Sequence, residues 1–410
     1  MYLFLIITLP VLCVGAIFAF VLRKGARDSA KKAPRIIVSV VLLLACALAE
    51  ALLVPLFLLE KNKIISRPES FGSPYFEVYD KERIHSRLSE DLIVFDGRLY
   101  VGGGDYDANT GPVTVKSYDL EKGVWESSAE ALEDEQIKRF CVLDGKLVTL
   151  GTDPKGDWSL GNYYIFDGGK WETVRALPSG IHCFDAIEFE DFTFFALGVN
   201  SGDYPITRYD GENYEMLEFY KKGELLDTSA HEYVRVYNLF ERGGELFAFL
   251  TLDVTAEDGS VSYFMDLYRY ADGAFEFVNG SLPAADMPDV VTSGELTYII
   301  IRDTLLVSSD LVNFSALNLG KGVRVVDITE FDGKIYVLAT PKNTGTRFES
   351  MVFEVSDTSA EKLFGFLEYN TPGAFCVAGE AFYISLGRRG EIAAPKSAGE
   401  IFRVGFEQIK

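Results

Sequence analysis

Residues 91–126, DLIVFDGRLYVGGGDYDANTGPVTVKSYDLEKGVWE, limit the folds open to this chain more than any other feature. Two apolar runs meet at Asp96-Gly97, and a third ends near Tyr118-Asp119 before a short turn and Trp125. Asp-Gly between alternating apolar runs is a strong hairpin signal, because a type I′ turn needs positive φ at both central residues. FDGRLYV (95–101) returns as FDGKIYV (331–337), and LDGKLV (143–148) is a third copy. Weaker copies stand at Glu190-Asp191, Gly243-Gly244, Ser293-Gly294 and Ala378-Gly379, making seven hairpins about 39 to 53 residues apart. A β-unit recurring at that period predicts a propeller.

A second turn follows the hairpin in six of the units: DLEKGVW (119–125), DGGKW (167–171), DGENY (210–214), DGAF (272–275), SDLVNF (309–314) and SDTSAEKLF (356–364). Each ends in an aromatic that starts an outer strand and is expected to pack between neighbouring units. The seventh unit, 374–406, holds only three strands, so the lone strand pattern at 75–80 is expected to supply its fourth. Such closure ties the first unit to the last and removes free sheet edges. The expected fold is all-β: a seven-bladed β-propeller over 75–410, closed by an N-terminal strand.

The N-terminus obeys a different rule. Residues 2–22 form an uncharged apolar run, and 36–59 form a second one interrupted by Glu50 and Pro55. About 20 apolar residues cross a bilayer core, so residues 1–60 read as a hairpin of two transmembrane α-helices. No basic segment precedes the first run and no clean A-x-A site follows it, which argues against a cleaved signal peptide. The connecting loop, 23–35, carries six basic side chains, against the three of Lys61, Lys63 and Arg67 beyond the second run. The positive-inside rule then puts the loop in the cytoplasm and the large C-terminal domain outside, in a multi-pass cell-membrane protein. Residues 61–74 read as a linker. Glu50 would lie near mid-membrane, either as a functional group or as a protonated hydrogen-bonding contact.

Charge and cysteine content narrow the partners. The formal net charge is −22, and residues 61–410 alone carry 33 basic against 58 acidic side chains. Such a surface repels nucleic acid and anionic headgroups. Cys141, Cys183 and Cys376 fall in the expected first strands of their units and read as small buried hydrophobes. No His or carboxylate accompanies them at ligand spacing, so neither a metal site nor a cofactor is expected.

The first unit resembles a kelch repeat. Its YVGGG (100–104) matches the glycine pair that closes a kelch second strand, and Tyr118 and Trp125 stand where that family keeps its aromatic pair. Later units keep one glycine of the pair, at Gly151, Gly198 and Gly387. SSDLVNFS (308–315) instead resembles a worn Asp-box of the sialidase type. The resemblance implies architecture and assigns no function, because one fold hosts many activities.

Geometry separates two faces. Tight turns share one; the second-to-third-strand loops and the unit-to-unit links share the other. Those loops are long and polar: 105–111, 152–160, 200–204, 253–260, 341–347 and 388–398. Rigid scaffolds carry binding groups on such loops, which makes Asp105, Tyr106, Asp107, Trp158, Tyr204, Arg347, Arg388 and Arg389 the candidate ligand contacts. Residues 105–111 place three oxygen-bearing side chains at alternate positions, as calcium loops do, but the glycine comes one position late and Lys116 stands where a distal Glu belongs. His85, His182 and His231 show no triad or metal spacing, so no catalytic residue is assigned. The reading is a membrane-anchored extracytoplasmic binding or scaffold module for a protein, peptide or glycan, without nucleic acid as a partner. The alternatives are a carbohydrate-active enzyme whose residues converge only in three dimensions, and a structural subunit of a membrane complex with Glu50 in the contact.

Overall fold

A computed structural model of the chain describes residues 63–75, 88–104, 111–154, 159–255, 258–283, 288–341, 347–387 and 397–409. Both apolar N-terminal runs, with Glu50, lie outside the described residues. Among the described residues all regular structure is β, apart from 3-10 turns at Thr228–Ala230 and Phe406–Gln408. No helix there is long and apolar enough to cross a membrane.

After β1 (Glu69–Gly72), the strands group into consecutive four-stranded antiparallel meanders. The first is β2 (Asp91–Phe95), β3 (Arg98–Gly102), β4 (Lys116–Asp119) and β5 (Val124–Ser127). The second is β6 (Gln136–Leu143), β7 (Lys146–Thr152), β8 (Leu160–Phe166) and β9 (Trp171–Pro178). The third is β10 (His182–Phe189), β11 (Phe192–Val199), β12 (Ile206–Tyr209) and β13 (Tyr214–Met216). A small hairpin, β14 (Phe219–Lys221) and β15 (Glu224–Leu225), comes next. The fourth meander is β16 (Val234–Arg242), β17 (Glu245–Thr255), β18 (Val261–Ala271) and β19 (Ala274–Pro283). The fifth is β20 (Val290–Ser293), β21 (Leu296–Ile301), β22 (Thr304–Ser308) and β23 (Ser315–Ala316). The sixth is β24 (Val323–Phe331), β25 (Lys334–Pro341), β26 (Phe348–Val355) and β27 (Ala360–Glu368). The seventh is β28 (Pro372–Ala378), β29 (Ala381–Leu386) and β30 (Ile401–Gly405), with β1 as its fourth strand.

The first-to-second-strand turns follow their local chemistry. Both central residues have positive φ at Asp96-Gly97, Asp144-Gly145, Asp332-Gly333 and Gly243-Gly244, as type I′ requires. At the fifth and seventh units the pairs Ser293↔Leu296 and Ala378↔Ala381 shift the turn one residue on from the expected dipeptides, leaving only Gly294 and Gly379 at positive φ. The third-to-fourth-strand turns share a side-chain device. In Asp119, Asp167, Asp210 and Asp310 one carboxylate oxygen accepts from the backbone N–H groups two and three residues on. This Asx geometry fixes the turn before any tertiary contact forms.

The core is laid down between neighbouring meanders. Tyr100 of the first packs with Ile137, Phe140 and Trp171 of the second. Phe249 and Leu267 of the fourth pack with Ile299 and Leu311 of the fifth, and Ile300 of the fifth with Val325 and Phe353 of the sixth. Leu92 and Val101 of the first meet Ala374 and Tyr383 of the seventh. Each fully buried aliphatic or aromatic side chain contributes about 1.5–3 kcal/mol, so these layers carry the stability of the arrangement. Outer-strand aromatics join neighbours as expected. The Tyr214 and Tyr163 hydroxyls lie 2.8 Å apart, and Trp171 meets Tyr100 edge-on at 6.5 Å. Successive four-stranded meanders, packed neighbour to neighbour and last to first, make the fold propeller-like.

The closing strand differs from the expected one. It is β1, at 69–72, inside the segment read as a linker, with register Glu69↔Arg403 and Ser70↔Phe402. Tertiary contacts select it: Phe71 stacks on Tyr118 at 4.3 Å, and Trp125 Nε1 donates to the Phe71 carbonyl at 2.6 Å. Tyr75 is buried, and its hydroxyl donates to the carbonyls of Val101 (2.9 Å) and Thr114 (3.0 Å). Residues 76–80 lie outside the described residues. The YVGGG glycines have a packing reason: a Cβ on Gly103 would fall 2.6 Å from the Tyr75 ring, and one on Gly102 would fall 2.8 Å from the Ile137 carbonyl. The β14–β15 hairpin was not expected from the sequence; β14 adds in parallel to β19, pairing Phe219 with Phe275.

Candidate functional site: an axial cavity

One structural position recurs on the innermost strand of every meander. It lies five residues ahead of the first residue of the first-to-second-strand turn. Asp91, Arg139, Asp185, Asn238, Asp289, Asp327 and Ala374 occupy it in chain order. In five meanders it lies within or at the end of a register shift, at Ile137/Phe140, Cys183/Asp185, Val236/Leu239, Val325/Asp327 and Pro372/Phe375. A β-bulge re-aims the side chain that follows it. Six of the seven residues, Asp185 excepted, line a single cavity of about 480 Å³.

Three of the four carboxylates are engaged with backbone. Asp91 accepts from the N–H of Leu92 (2.8 Å) and, on the next meander, Phe140 (2.6 Å). Asp185 accepts from Ala186 (3.0 Å) and from Leu239 of the next meander (2.9 Å). Asp327 accepts from Ile328 (2.7 Å) and from Phe375 of the next meander (2.9 Å). Each is a staple across an interface, satisfying N–H groups that the bulges leave outside the sheet ladder.

The other positions differ. Arg139 forms ion pairs with Asp185 at 3.2 Å and with Asp289 at 2.7 Å, linking the second, third and fifth meanders. Asp289 uses only Oδ1 for this, and among the described residues its Oδ2 has no partner. Asn238 is 1 % exposed, and its Oδ1 accepts no hydrogen bond from the described residues. A polar atom buried without a partner costs about 1–3 kcal/mol, so this amide is a group that the protein alone leaves incomplete.

Electrostatics set the character of the cavity. Burial pushes the Asp91 carboxyl up to about 7, against the pull of the Phe140 N–H and of Arg139. Burial also raises Asp185 and Asp289, and it lifts Asp327 well above the carboxylate range with the help of the neighbouring Asp289 charge. For Arg139 burial opposes the charge, but Asp185, Asp289 and Asp91 together outweigh it and hold the guanidinium ionised. Four carboxyls thus stand against the Arg139 guanidinium and the cavity-lining Lys138, and the raised carboxyls would ionise if more positive charge were brought to them.

A second hollow, about 420 Å³, shares Glu90 and Gly373 with the first and is lined also by Ser89, Arg324, Thr371 and Gly387. These residues stand at the starts of innermost strands and the end of a second strand. The axial cavity therefore adjoins the face of the long loops.

Of the residues picked from sequence, Asp105, Tyr106, Asp107, Trp158, Arg388 and Arg389 lie outside the described residues. Tyr204 is half-buried, packs beside Phe219 and donates its hydroxyl to the Leu226 carbonyl at 3.3 Å. Arg347 sits on the exposed Tyr369 ring at 4.9 Å and donates to its hydroxyl at 3.3 Å. Neither Tyr204 nor Arg347 lines the axial cavity. Cys141, Cys183 and Cys376 are free thiols on the innermost strands β6, β10 and β28. Among the described residues no group of three His, Cys, Asp or Glu stands close enough to hold a metal ion.

No protein-family model matches the chain, and no curated protein matches it. Solved structures do resemble it. Hydrazine synthase from Kuenenia stuttgartiensis is 10% identical over 77% of this chain and 95% of that one, with a TM-score of 0.50. A putative 6-phosphogluconolactonase from Bacteroides fragilis NCTC 9343 is 14% identical over 76% and 95%, with a TM-score of 0.46. The RRP9 WD40 repeats are 9% identical over 78% and 94%, with a TM-score of 0.45. At such identities the likeness concerns the backbone alone.

Proposed function

We propose that this chain is a membrane-anchored, extracytoplasmic binding module built on a seven-bladed, kelch-like β-propeller. Its ligand, a protein, peptide or glycan, would be held on the long-loop face and reach into the axial cavity. The observation that carries the reading is a pair of cavity oxygens without a hydrogen-bond partner among the described residues, the buried Asn238 Oδ1 and the part-exposed Asp289 Oδ2. Pockets with a few convergent polar groups on a rigid scaffold are the usual form of a binding site. The apolar runs 2–22 and 36–59 and the basic loop between them support the anchor and its orientation. Protease treatment of intact cells tests placement: digestion of the C-terminal domain fits it, and full protection contradicts it. Affinity capture on the solubilised full chain tests binding. A retained partner should be lost on replacing Arg388 and Arg389 together by Ala, and unchanged retention would remove those arginines from the site.

One observation favours a second reading, a carbohydrate-active enzyme. A carboxyl pushed up to about 7, as at Asp91, suits general acid–base work near neutral pH. Turnover of glycoside substrates by the purified chain, abolished by Asp91→Asn, would establish it; no turnover across such a panel leaves the binding reading in place.

A further inference from the structure

We propose that the axial cavity receives a small organic cation, one bearing a primary ammonium or guanidinium group, with Asp289 and Asn238 as its direct contacts. The inference rests on the reading of the chain as a binding module and names the ligand chemistry of the cavity. The acidic cluster by itself is explained structurally, because Asp91, Asp185 and Asp327 staple adjacent meanders. What the staples do not use is more specific. Asn238 in β16 and Asp289 just ahead of β20 hold the same position in adjacent meanders, and each has an oxygen without a hydrogen bond from the described residues, buried in Asn238 and part-exposed in Asp289. Two acceptors of this kind call for a donor with several N–H groups, and an ammonium offers three.

Charge decides between ligand classes. Burial keeps protons on these carboxyls near neutral pH, and a cation can replace those protons where an anion or a neutral polyol cannot. A bare divalent ion needs several carboxylate oxygens with open lone pairs. Three of the four carboxylates already accept N–H groups on both oxygens, and no triad of ligands stands at metal-binding distance among the described residues. An organic cation needs only the two acceptors and the surrounding field. The cavity already shows that it can hold such a group, since the Arg139 guanidinium lies between Asp185 and Asp289. The titratable groups lining the cavity are Glu90, Asp91, Lys138, Arg139, Tyr237, Asp289, Asp327 and Cys376, with Asp185 reaching it only through Arg139, and a cation bound among them favours the ionised carboxylates.

Titration calorimetry on the full chain tests the proposal, with cadaverine and agmatine as probes and 1,5-pentanediol and calcium chloride as comparators. Saturable binding of an amine but not of the diol is expected. Asp289→Asn and Asn238→Ala should each weaken it at least about tenfold, equivalent to about 1.4 kcal/mol. Asn238→Asp should tighten it by adding a carboxylate, a gain that a merely structural asparagine would not give. Circular dichroism and melting of each variant without ligand separate a lost site from a lost fold. The proposal is overturned if neither amine binds the folded chain, if the diol binds as well, if calcium binds where the amines do not, or if the variants bind like the parent. Amine failure beside capture that still depends on Arg388 and Arg389 would remove this inference and leave the binding module. Amine binding without any captured macromolecule would do the reverse.

Discussion

Replacing Asp327 by Ala isolates the contribution of one staple. Among the described residues Asp327 has no cationic partner in direct contact; its oxygens accept the Ile328 N–H at 2.7 Å and the Phe375 N–H at 2.9 Å. Both donors belong to buried residues, so truncation leaves two backbone N–H groups to be met by cavity water or by nothing. Each unsatisfied buried donor costs about 1–3 kcal/mol. The cavity is wide enough for water to replace part of this, and removing a carboxyl that Asp289 repels returns some stability. The expected net loss is about 1–3 kcal/mol. For a propeller-sized domain that is a fall in melting temperature of a few degrees, about 2 °C per kcal/mol or somewhat less. The loss should also be local. Hydrogen exchange at the Phe375 and Ile328 amides should accelerate about tenfold or more, one decade per 1.4 kcal/mol of lost protection, while the Asp119 turn keeps the parent rate. Asp327→Asn, which keeps one acceptor, should fall between parent and Ala. If exchange at Phe375 is unaltered in the Ala variant, the stapling argument fails for all three carboxylates, since Asp327 is the least complicated of them.

Three further outcomes are expected. Trp125→Phe removes the donor to the Phe71 carbonyl and should loosen the closing strand by about 0.5–1.5 kcal/mol, read as faster proteolysis around residues 67–75 than in the parent. Gly103→Ala drives a Cβ to 2.6 Å from the Tyr75 ring and should destabilise by about 1–3 kcal/mol in urea unfolding; Tyr75→Ala in the same chain should recover part of that loss, and strict additivity would refute the contact. The pH dependence should show two slopes of opposite sign. Burial raises the folded pKa of Asp91 to about 7, so the folded state keeps a proton that the unfolded chain releases, and stability should fall as pH rises from about 4 to about 7. The Lys122 backbone N–H lowers Asp119 to about 2, so its contribution is present above about 4 and is lost as pH falls toward about 2. Melting curves across this range check both, and Asp91→Asn should flatten the upper slope alone.

Local chemistry made the repeat legible. Asp-Gly at Asp96, Asp144 and Asp332 fixes a turn without help from the rest of the chain, and the alternation around it fixes which side chains face the neighbouring meanders. Features selected by tertiary contact were harder to see. The ESFG of β1 reads as a loop beside two prolines, and only the stacking of Phe71 on Tyr118 and its bond to Trp125 make it a strand. The turn of the β14–β15 hairpin, with Lys222 and Gly223 both at positive φ, is a Lys-Gly pair that composition does not flag. Tyr204 looked like a loop contact because its neighbours are polar, yet its ring reaches the core. The axial ring escaped a motif search because its residues are Asp, Arg, Asp, Asn, Asp, Asp and Ala, with no shared identity. Counting back five residues from the turns read in the sequence aligns five of them, and it misses Asp289 and Ala374 by one residue because the fifth and seventh turns are shifted.

A high-resolution crystallographic map of the channel is the most direct measurement. It should show side chains from six of the seven phase-matched positions around a single chamber, with the Arg139 guanidinium between Asp289 and the seventh, Asp185. Density placing Arg139 in bulk solvent, or Asp327 turned away from the Phe375 amide, would contradict the account.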